Sequence, residues 1–343
     1  MSNPLAALAD QLRVRGIISA EAPEPPDESD DRPWFIALML GVAGWLAGIL
    51  LLVFIGIAFK PDSRATLIIA GLVLLATAWA IYRLDKEGAF LDQFALAISV
   101  AGQIAVCIGV NMEDTSETAI AATALVVQAI VFFVMPNRTA RTLAALFGAI
   151  AWLFLVRLAL HSGRSGDLFF ESSARDYVGG LGLITLLLSW AVTWGPLVFA
   201  AIWLTRREPK WMADGLRELA RPLLTGVLIA LAVGGVISEP FAFIAMGMDS
   251  WGLNMGWSGI FPLLSIALAM LAAYGAFRVR SLGLLGVAIA GALLHLSRFY
   301  YLYGTTLLWK SAIMFVAGAA LLIAGVAAHR KLQAAQPASP GAA

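Results

Sequence analysis

What this sequence has little of limits what it can be. It contains one cysteine, Cys107, and three scattered histidines, so it can form no internal disulfide and shows no metal-ligand spacing. Charged residues make up 13% of the chain, whereas soluble domains carry about 25%. The net charge is +1, which is too small to attract nucleic acid electrostatically over a distance. Phosphate-loop, HExxH and CxxC motifs are absent, so we expect neither an enzyme nor a bound cofactor.

Long apolar runs are what the sequence has in excess. Hydrophobic residues make up 60% of the chain, and the mean hydropathy is +0.85. A helix that spans a membrane needs about 20 apolar residues. Runs of about this length lie at 34–59, 65–82, 90–110, 118–135, 140–160, 177–204, 219–238, 260–277, 281–299 and 306–328. The sequence therefore predicts an all-α fold, a polytopic transmembrane helical bundle of about ten spans.

The stretch 239–259 is the most ambiguous apolar segment. Pro240 and Asp249 interrupt it, and Trp251 and Trp257 suit a membrane interface. We interpret it as an outer-surface loop that lies on the membrane or dips into it. A re-entrant segment or an additional span remains an alternative.

Basic residues predict the orientation of the bundle. Under strict alternation of the ten spans, sixteen of the 23 Lys and Arg residues fall on one face and four on the other. Cytoplasmic loops of membrane proteins carry the excess of Lys and Arg, so both termini should be cytoplasmic. The even number of spans agrees with this orientation.

Four segments follow from the composition along the chain. Residues 1–20 predict a short cytoplasmic amphipathic helix, since Leu5, Leu8 and Leu12 recur at near-helical spacing. Residues 21–33 form an acidic, proline-rich linker. The transmembrane bundle occupies 34–328, and 329–343 is a disordered cytoplasmic tail.

Three cations fall near the predicted outer ends of spans: Arg157, Arg298 and Lys310. A cation at the centre of a membrane helix costs roughly 2.5–3.5 kcal/mol on insertion scales, so it usually has a partner, a water path or a function. One interpretation is that the long side chains only reach the outer headgroups. The other is an outward-facing pocket in which they pair with acids or hold an anion.

The two runs around the turn at 303–305 predict the main candidate site. Antiparallel helices would bring Arg298 and Lys310 to similar depth, within reach of an acid such as Glu239. His295 shares a helical face with Arg298, although a lone histidine is more often a bonded structural residue. Nearby hydroxyl groups and Arg157 are added as possible ligand or partner contacts. The candidate ligand or partner residues are Arg298, Tyr300, Tyr301, Lys310, Ser311, His295, Glu239 and Arg157.

Gly44 and Gly48 form a GxxxG pattern in the first apolar run. Small residues at this spacing let two helix backbones approach closely. The pattern predicts a close helix contact, either inside the chain or between subunits.

Several motifs in the final helix pair and at the start of the bundle resemble those of a known family. Arg298-Phe299-Tyr300-Tyr301, Lys310-Ser311 and Gly318 are similar to the C-terminal signature of a family of bacterial inner-membrane proteins of unknown function. Pro33-Trp34, before the first span, also resembles that family. The resemblance implies a multi-pass protein of the bacterial inner (cytoplasmic) membrane. It also implies a partner, a GDYXXLXY-motif protein encoded nearby, but no catalytic residues.

Three classes of function remain open at this point. The first is a membrane scaffold or accessory subunit that acts with a periplasmic or membrane-anchored partner. The second is a transporter or sensor for a small anionic ligand with an outward-facing site near Arg298 and Lys310. The third is a membrane-embedded enzyme, which the lack of clustered acid, base or metal-ligand residues disfavours.

The topology can be checked by cysteine labelling, after Cys107 has been replaced so that each variant carries one introduced cysteine. We expect residues 1–33, 205–218 and 330–343 to react only from the cytoplasmic side. Residues 111–117 and 239–259 should react from outside. Labelling of 205–218 from outside would overturn the charge argument.

Overall fold

The structure is a computed structural model, and it describes residues 34–59, 63–84, 89–112, 117–160, 183–235, 261–302, 306–309, 311–312, 315–316 and 318–319. Helices and their short connections make up these residues, with no strand among them. The predicted segments at 1–20, 21–33, 239–259 and 329–343 lie outside the described residues.

The first compact unit, Met1–Gly109, contains three described helices. They are α1 (Trp34–Phe59), α2 (Arg64–Leu84) and α3 (Ala89–Val110). Gly44 and Gly48 of α1 face α3, where an added Cβ would lie 2.8 Å from the Phe90 carbonyl oxygen and 2.5 Å from Ala97 Cβ, respectively. The GxxxG pattern therefore serves a close contact inside the chain.

The second unit, Val110–Ala343, contains six described helices. They are α4 (Glu117–Val134), α5 (Arg138–Leu160), α6 (Leu183–Ala213), α7 (Arg217–Val233), α8 (Phe261–Arg278) and α9 (Leu282–Leu302). Most helix bounds lie within a few residues of the apolar runs, because a run long enough to cross a bilayer is also a continuous helix.

Helix α6 differs from its predicted run, since it continues well past residue 204 as far as Ala213. The extension includes Arg206, Arg207 and Lys210, which were expected in a loop. Arg and Lys are good helix formers, so the polar residues continue the helix rather than end it. Trp203 and Trp211 also meet edge to face on this segment, with ring centroids 5.1 Å apart.

Helix α7 lies at the centre of the second unit and packs against α5, α6, α8 and α9. Nine of its 17 residues are buried, and none of the nine is larger than leucine. At Gly226 an added Cβ would lie 2.6 Å from Ala145 Cβ and 2.7 Å from the Thr142 carbonyl oxygen of α5. Small side chains therefore let the neighbouring helices reach the α7 backbone.

Apolar helices of membrane-spanning length indicate a membrane protein. Four of the described helices are long and apolar enough, and they lie at Arg64–Leu84, Phe90–Val110, Arg138–Val156 and Leu187–Trp211. Shorter apolar helices lie at Met39–Leu51, Thr118–Val134, Leu263–Arg278 and Leu282–Ser297. The total of ten spans and the side on which each terminus lies remain predictions.

The close approach of α9 to α7 gives a test of this packing. An added Cβ at Gly291 would overlap the Ala232 carbonyl oxygen, whereas at Gly286, in the same helix, no atom lies within 4 Å. We expect Gly291→Ala to lower the free energy of unfolding of the purified protein by about 1–3 kcal/mol, because α9 must move away from α7. Gly286→Ala is the matched control and should leave stability unchanged or slightly higher. Equal effects of the two substitutions would contradict the contact.

Candidate functional site

Polar side chains from two helices converge on the C-terminal end of α7, and the contact with α9 is the tightest part of this region. The Ala232 carbonyl oxygen faces Gly291 of α9, which leaves room for it. One turn further along α9, His295 Nε2 lies 3.0 Å from the same oxygen. Because a carbonyl can only accept a hydrogen bond, Nε2 is the nitrogen that donates. Gly291 therefore leaves space for the Ala232 carbonyl oxygen, and His295, four residues later, donates a hydrogen bond to it.

Helix α8 completes this junction through Ser265. Ser265 and His295 are both 0% exposed. Gly235, just beyond α7, lies against both of them, since an added Cβ there would be 2.9 Å from His295 Cε1 and closer still to Ser265 Oγ. A hydroxyl, an imidazole and a backbone segment without a side chain thus share one buried spot among α7, α8 and α9, which we call the α7 junction.

The α5 and α6 side of the same end is lined by tryptophans. Trp194 is 0% exposed and lies against Gly234, where an added Cβ would be 2.9 Å from Trp194 Cη2. Trp152 Nε1 of α5 donates to the Thr193 carbonyl oxygen at 3.2 Å. The Thr193 hydroxyl in turn donates to the Ser189 carbonyl oxygen at 2.7 Å. The Trp152 bond therefore joins α5 to the backbone of α6, whereas the Thr193 bond stays within α6.

The opposite end of the second unit is held by ion pairs instead. Arg138 of α5 contacts the Glu218 carboxylate of α7 with two nitrogens, Nε at 2.8 Å and Nη2 closer still. Arg141 Nη1 donates to the Glu218 backbone carbonyl oxygen at 3.0 Å. The hydrogen bonds from Arg138 hold the pKa of Glu218 below its ordinary value. Two arginines of α5 therefore bind the first turn of α7.

Arg221 extends these contacts to the remaining helices at this end. Its Nε lies 2.6 Å from Glu208 Oε1 of α6, and Glu208 is buried. Its Nη1 donates to the Val279 carbonyl oxygen, after α8, at 3.4 Å. Sequence reasoning used these arginines only to predict orientation. The missed signal was the presence of the acids Glu208 and Glu218 among the arginines of this segment.

The sequence-predicted site residues are only partly described. His295 lies inside the α7 junction, while Tyr300 lies half-buried near the end of α9. Ser311 is exposed, and its hydroxyl donates to the Leu308 carbonyl oxygen at 2.9 Å. For the other candidates the side chain or the whole residue lies outside the described residues, and these are Arg157, Arg298, Tyr301, Lys310 and Glu239. The structure therefore places His295 in the core, and the pairing of Arg298 with Lys310 remains a prediction.

The described polar groups at both ends serve the same chemical purpose. At the α7 junction a side-chain nitrogen bonds a backbone carbonyl of a neighbouring helix. At the other end guanidinium groups bond carboxylates and carbonyls of neighbouring helices. Hydrogen bonds of these kinds fix helices against one another.

The family assignment comes from comparison with known proteins. A model of a family described as a domain of unknown function (DUF4401) matches residues 33–260. The chain belongs to the DUF4401 family. The DUF4401 match runs from the start of α1 past the end of α7, so it includes Glu208, Glu218 and Ala232 but ends before His295. No curated protein and no solved structure matches the chain.

The hydrogen bond at the α7 junction can be tested at His295. His295→Leu keeps a side chain of similar size but removes the donor. We expect the free energy of unfolding to fall by about 0.6 kcal/mol, the average for hydrogen bonds between membrane helices, and by at most about 1.7 kcal/mol. His295→Gln should restore part of it, because its amide can still donate. Ser297→Ala, on the exposed face of the same helix, is the control. A His295→Leu protein with wild-type melting temperature would show that the bond does not hold the junction.

Proposed function

We propose that this membrane protein is a scaffold or accessory subunit that acts with a periplasmic or membrane-anchored partner. The observation that carries the proposal is the α7 junction, where His295 is fully buried and bonded to the backbone of α7. A catalytic or transport site needs polar groups that can meet a substrate. The polar groups described at the α7 junction instead hold helices together, which suits a rigid body that presents its ends to another protein.

The proposed contact surface is the outer corner that follows the α7 junction. Gly235 and His295 touch there, and Glu239 and Arg298 follow them in sequence by four and three residues. Four residues of chain reach at most about 14 Å, and three helical residues rise about 4.5 Å. In this proposal Glu239 and Arg298 therefore both lie near the α7 junction. Arg298, Lys310 and Glu239 would form a charged patch on the outer face.

The partner follows from the resemblance of the C-terminal motifs and not from the structure. A GDYXXLXY-motif protein encoded nearby is the first candidate. In this proposal the chain has about ten spans in the bacterial inner membrane and both termini are cytoplasmic, so the charged patch faces a periplasmic protein.

Copurification tests the proposal. The tagged chain, isolated from native membranes, should bring a specific partner that mass spectrometry identifies in stoichiometric amount. We expect Lys310→Met and Arg298→Ala each to remove most of the partner while the chain still inserts. The double variant should lose little more than either single variant, because residues that share a partner are coupled. Lys60→Met, a cation of another predicted outer loop, is the control.

A different result would favour the second class of function. If no partner copurifies, and small anions raise the melting temperature of the wild-type protein but not of Lys310→Met, a transporter or sensor explains the corner better. If the double variant loses the sum of two small single losses, the two cations do not share a site.

A further inference from the structure

A groove opens on the side of the second unit between α6, α7 and α8, away from the α7 junction. Its volume is about 280 Å³. Leu228 of α7 and Leu271 of α8 give it apolar walls, while Arg206 of α6 and Arg278 of α8 line it as well. The groove therefore combines an apolar interior with two cations from different helices.

The two arginines have no counter-charge in the part of the chain that the structure describes. Neither forms an ion pair or hydrogen bond there. Glu208, two residues from Arg206, is bound to Arg221. Arg206 and Arg278 are both exposed, so an anion can reach them from outside the chain and reduce the repulsion between their like charges. The groove thus favours an anionic occupant.

The hydroxyl groups of the lining narrow the chemistry of that occupant. Thr205 donates its hydroxyl proton to the Ala201 carbonyl oxygen at 2.7 Å, so it offers no donor to a ligand. Tyr274 lies one turn before Arg278 and is 57% exposed, and its hydroxyl can donate. Two guanidinium forks and one phenol are donors that suit phosphate oxygens, since the planar guanidinium can bind two oxygens at once.

Exposed apolar side chains outside the groove lining precede both arginines on the same two helices. On α6, Phe199 is 70% exposed and precedes Arg206 by two turns. On α8, Met270 is 46% exposed and precedes Arg278 by about two turns. Along each helix an exposed apolar side chain therefore precedes a guanidinium, the same order as acyl chain and phosphate in a phospholipid.

We propose that the groove between α6 and α8 binds an anionic phospholipid, with the phosphate between Arg206 and Arg278 and an acyl chain over Leu228 and Leu271. The proposal needs the membrane location of the chain but not the partner proposed above. Basic pockets between membrane helices on the cytoplasmic side suit anionic headgroups, and charge asymmetry predicts that side for both arginines. A free phosphate would use the cations but would leave the apolar part of the groove without a ligand.

Thermal unfolding in neutral detergent tests the proposal. Added phosphatidylglycerol should raise the melting temperature of the wild-type protein, because a ligand that binds only the folded state stabilises it. Phosphatidylcholine, and inorganic phosphate at the same concentration, should give at most a small part of that rise. The double variant Arg206→Gln/Arg278→Gln should lose most of the phosphatidylglycerol effect.

The matched control is Arg207→Gln/Arg280→Gln. Arg207 and Arg280 are exposed, as Arg206 and Arg278 are. Arg207 follows Arg206 directly and Arg280 follows Arg278 by two residues, but neither lines the groove. This variant should keep the wild-type response. The proposal is wrong if both double variants respond equally, if phosphatidylcholine stabilises as much as phosphatidylglycerol, or if inorganic phosphate alone reproduces the effect.

A measurement on the wild-type chain needs no variant. A phosphatidylglycerol with a photoreactive acyl chain, incorporated into phosphatidylcholine nanodiscs, should label peptides of α6 and α8 around Phe199 and Met270. Excess unlabelled phosphatidylglycerol should compete with this labelling, whereas phosphatidylcholine should not. Labelling spread evenly over other exposed apolar helices, such as α2, would overturn the assignment.

Discussion

The second unit depends on how closely other helices can approach α7. A helix surrounded by four others has to offer small side chains on several sides, and the buried residues of α7 are alanine, glycine, valine, leucine and proline. Neighbours then meet its backbone directly, as α9 does at the Ala232 carbonyl. In a lipid environment, where apolar side chains gain little by leaving lipid for protein, such close packing and occasional hydrogen bonds are what hold helices together.

The two ends of this bundle use different interactions for one purpose. Arg138 and Glu218, which are exposed, form an ion pair of the kind that contributes little energy in water but limits which helices can lie side by side. His295 lies where no water can replace a lost hydrogen bond, so one neutral contact there has more structural weight. The position of α7 is thus fixed by charge at its first turn and by backbone contact at its last.

The helices and the existence of a close contact at Gly44 and Gly48 could be predicted from the sequence, but the partners of the helices could not. The length of an apolar run predicts the length of the helix, so the approximate bounds of α1 and α9 follow from the local sequence. His295 could be interpreted as a bonded residue, yet its partner Ala232 lies 63 residues away and leaves no trace in the local pattern. The groove at Arg206 was missed for a related reason, since it needs the parallel placement of α6 and α8. The extension of α6 was missed because positive charge was interpreted as the end of a helix.

The polarity of α7 has a consequence for how the chain is made. Arg217, Glu218 and Arg221 lie near the start of α7, and most of the contacts that bury this helix come from its four neighbours. It leaves the ribosome after α5 and α6 but before α8 and α9, two of the helices that surround it. A chain that stops before α8 would therefore lack two of the four helices that enclose α7 in the full chain.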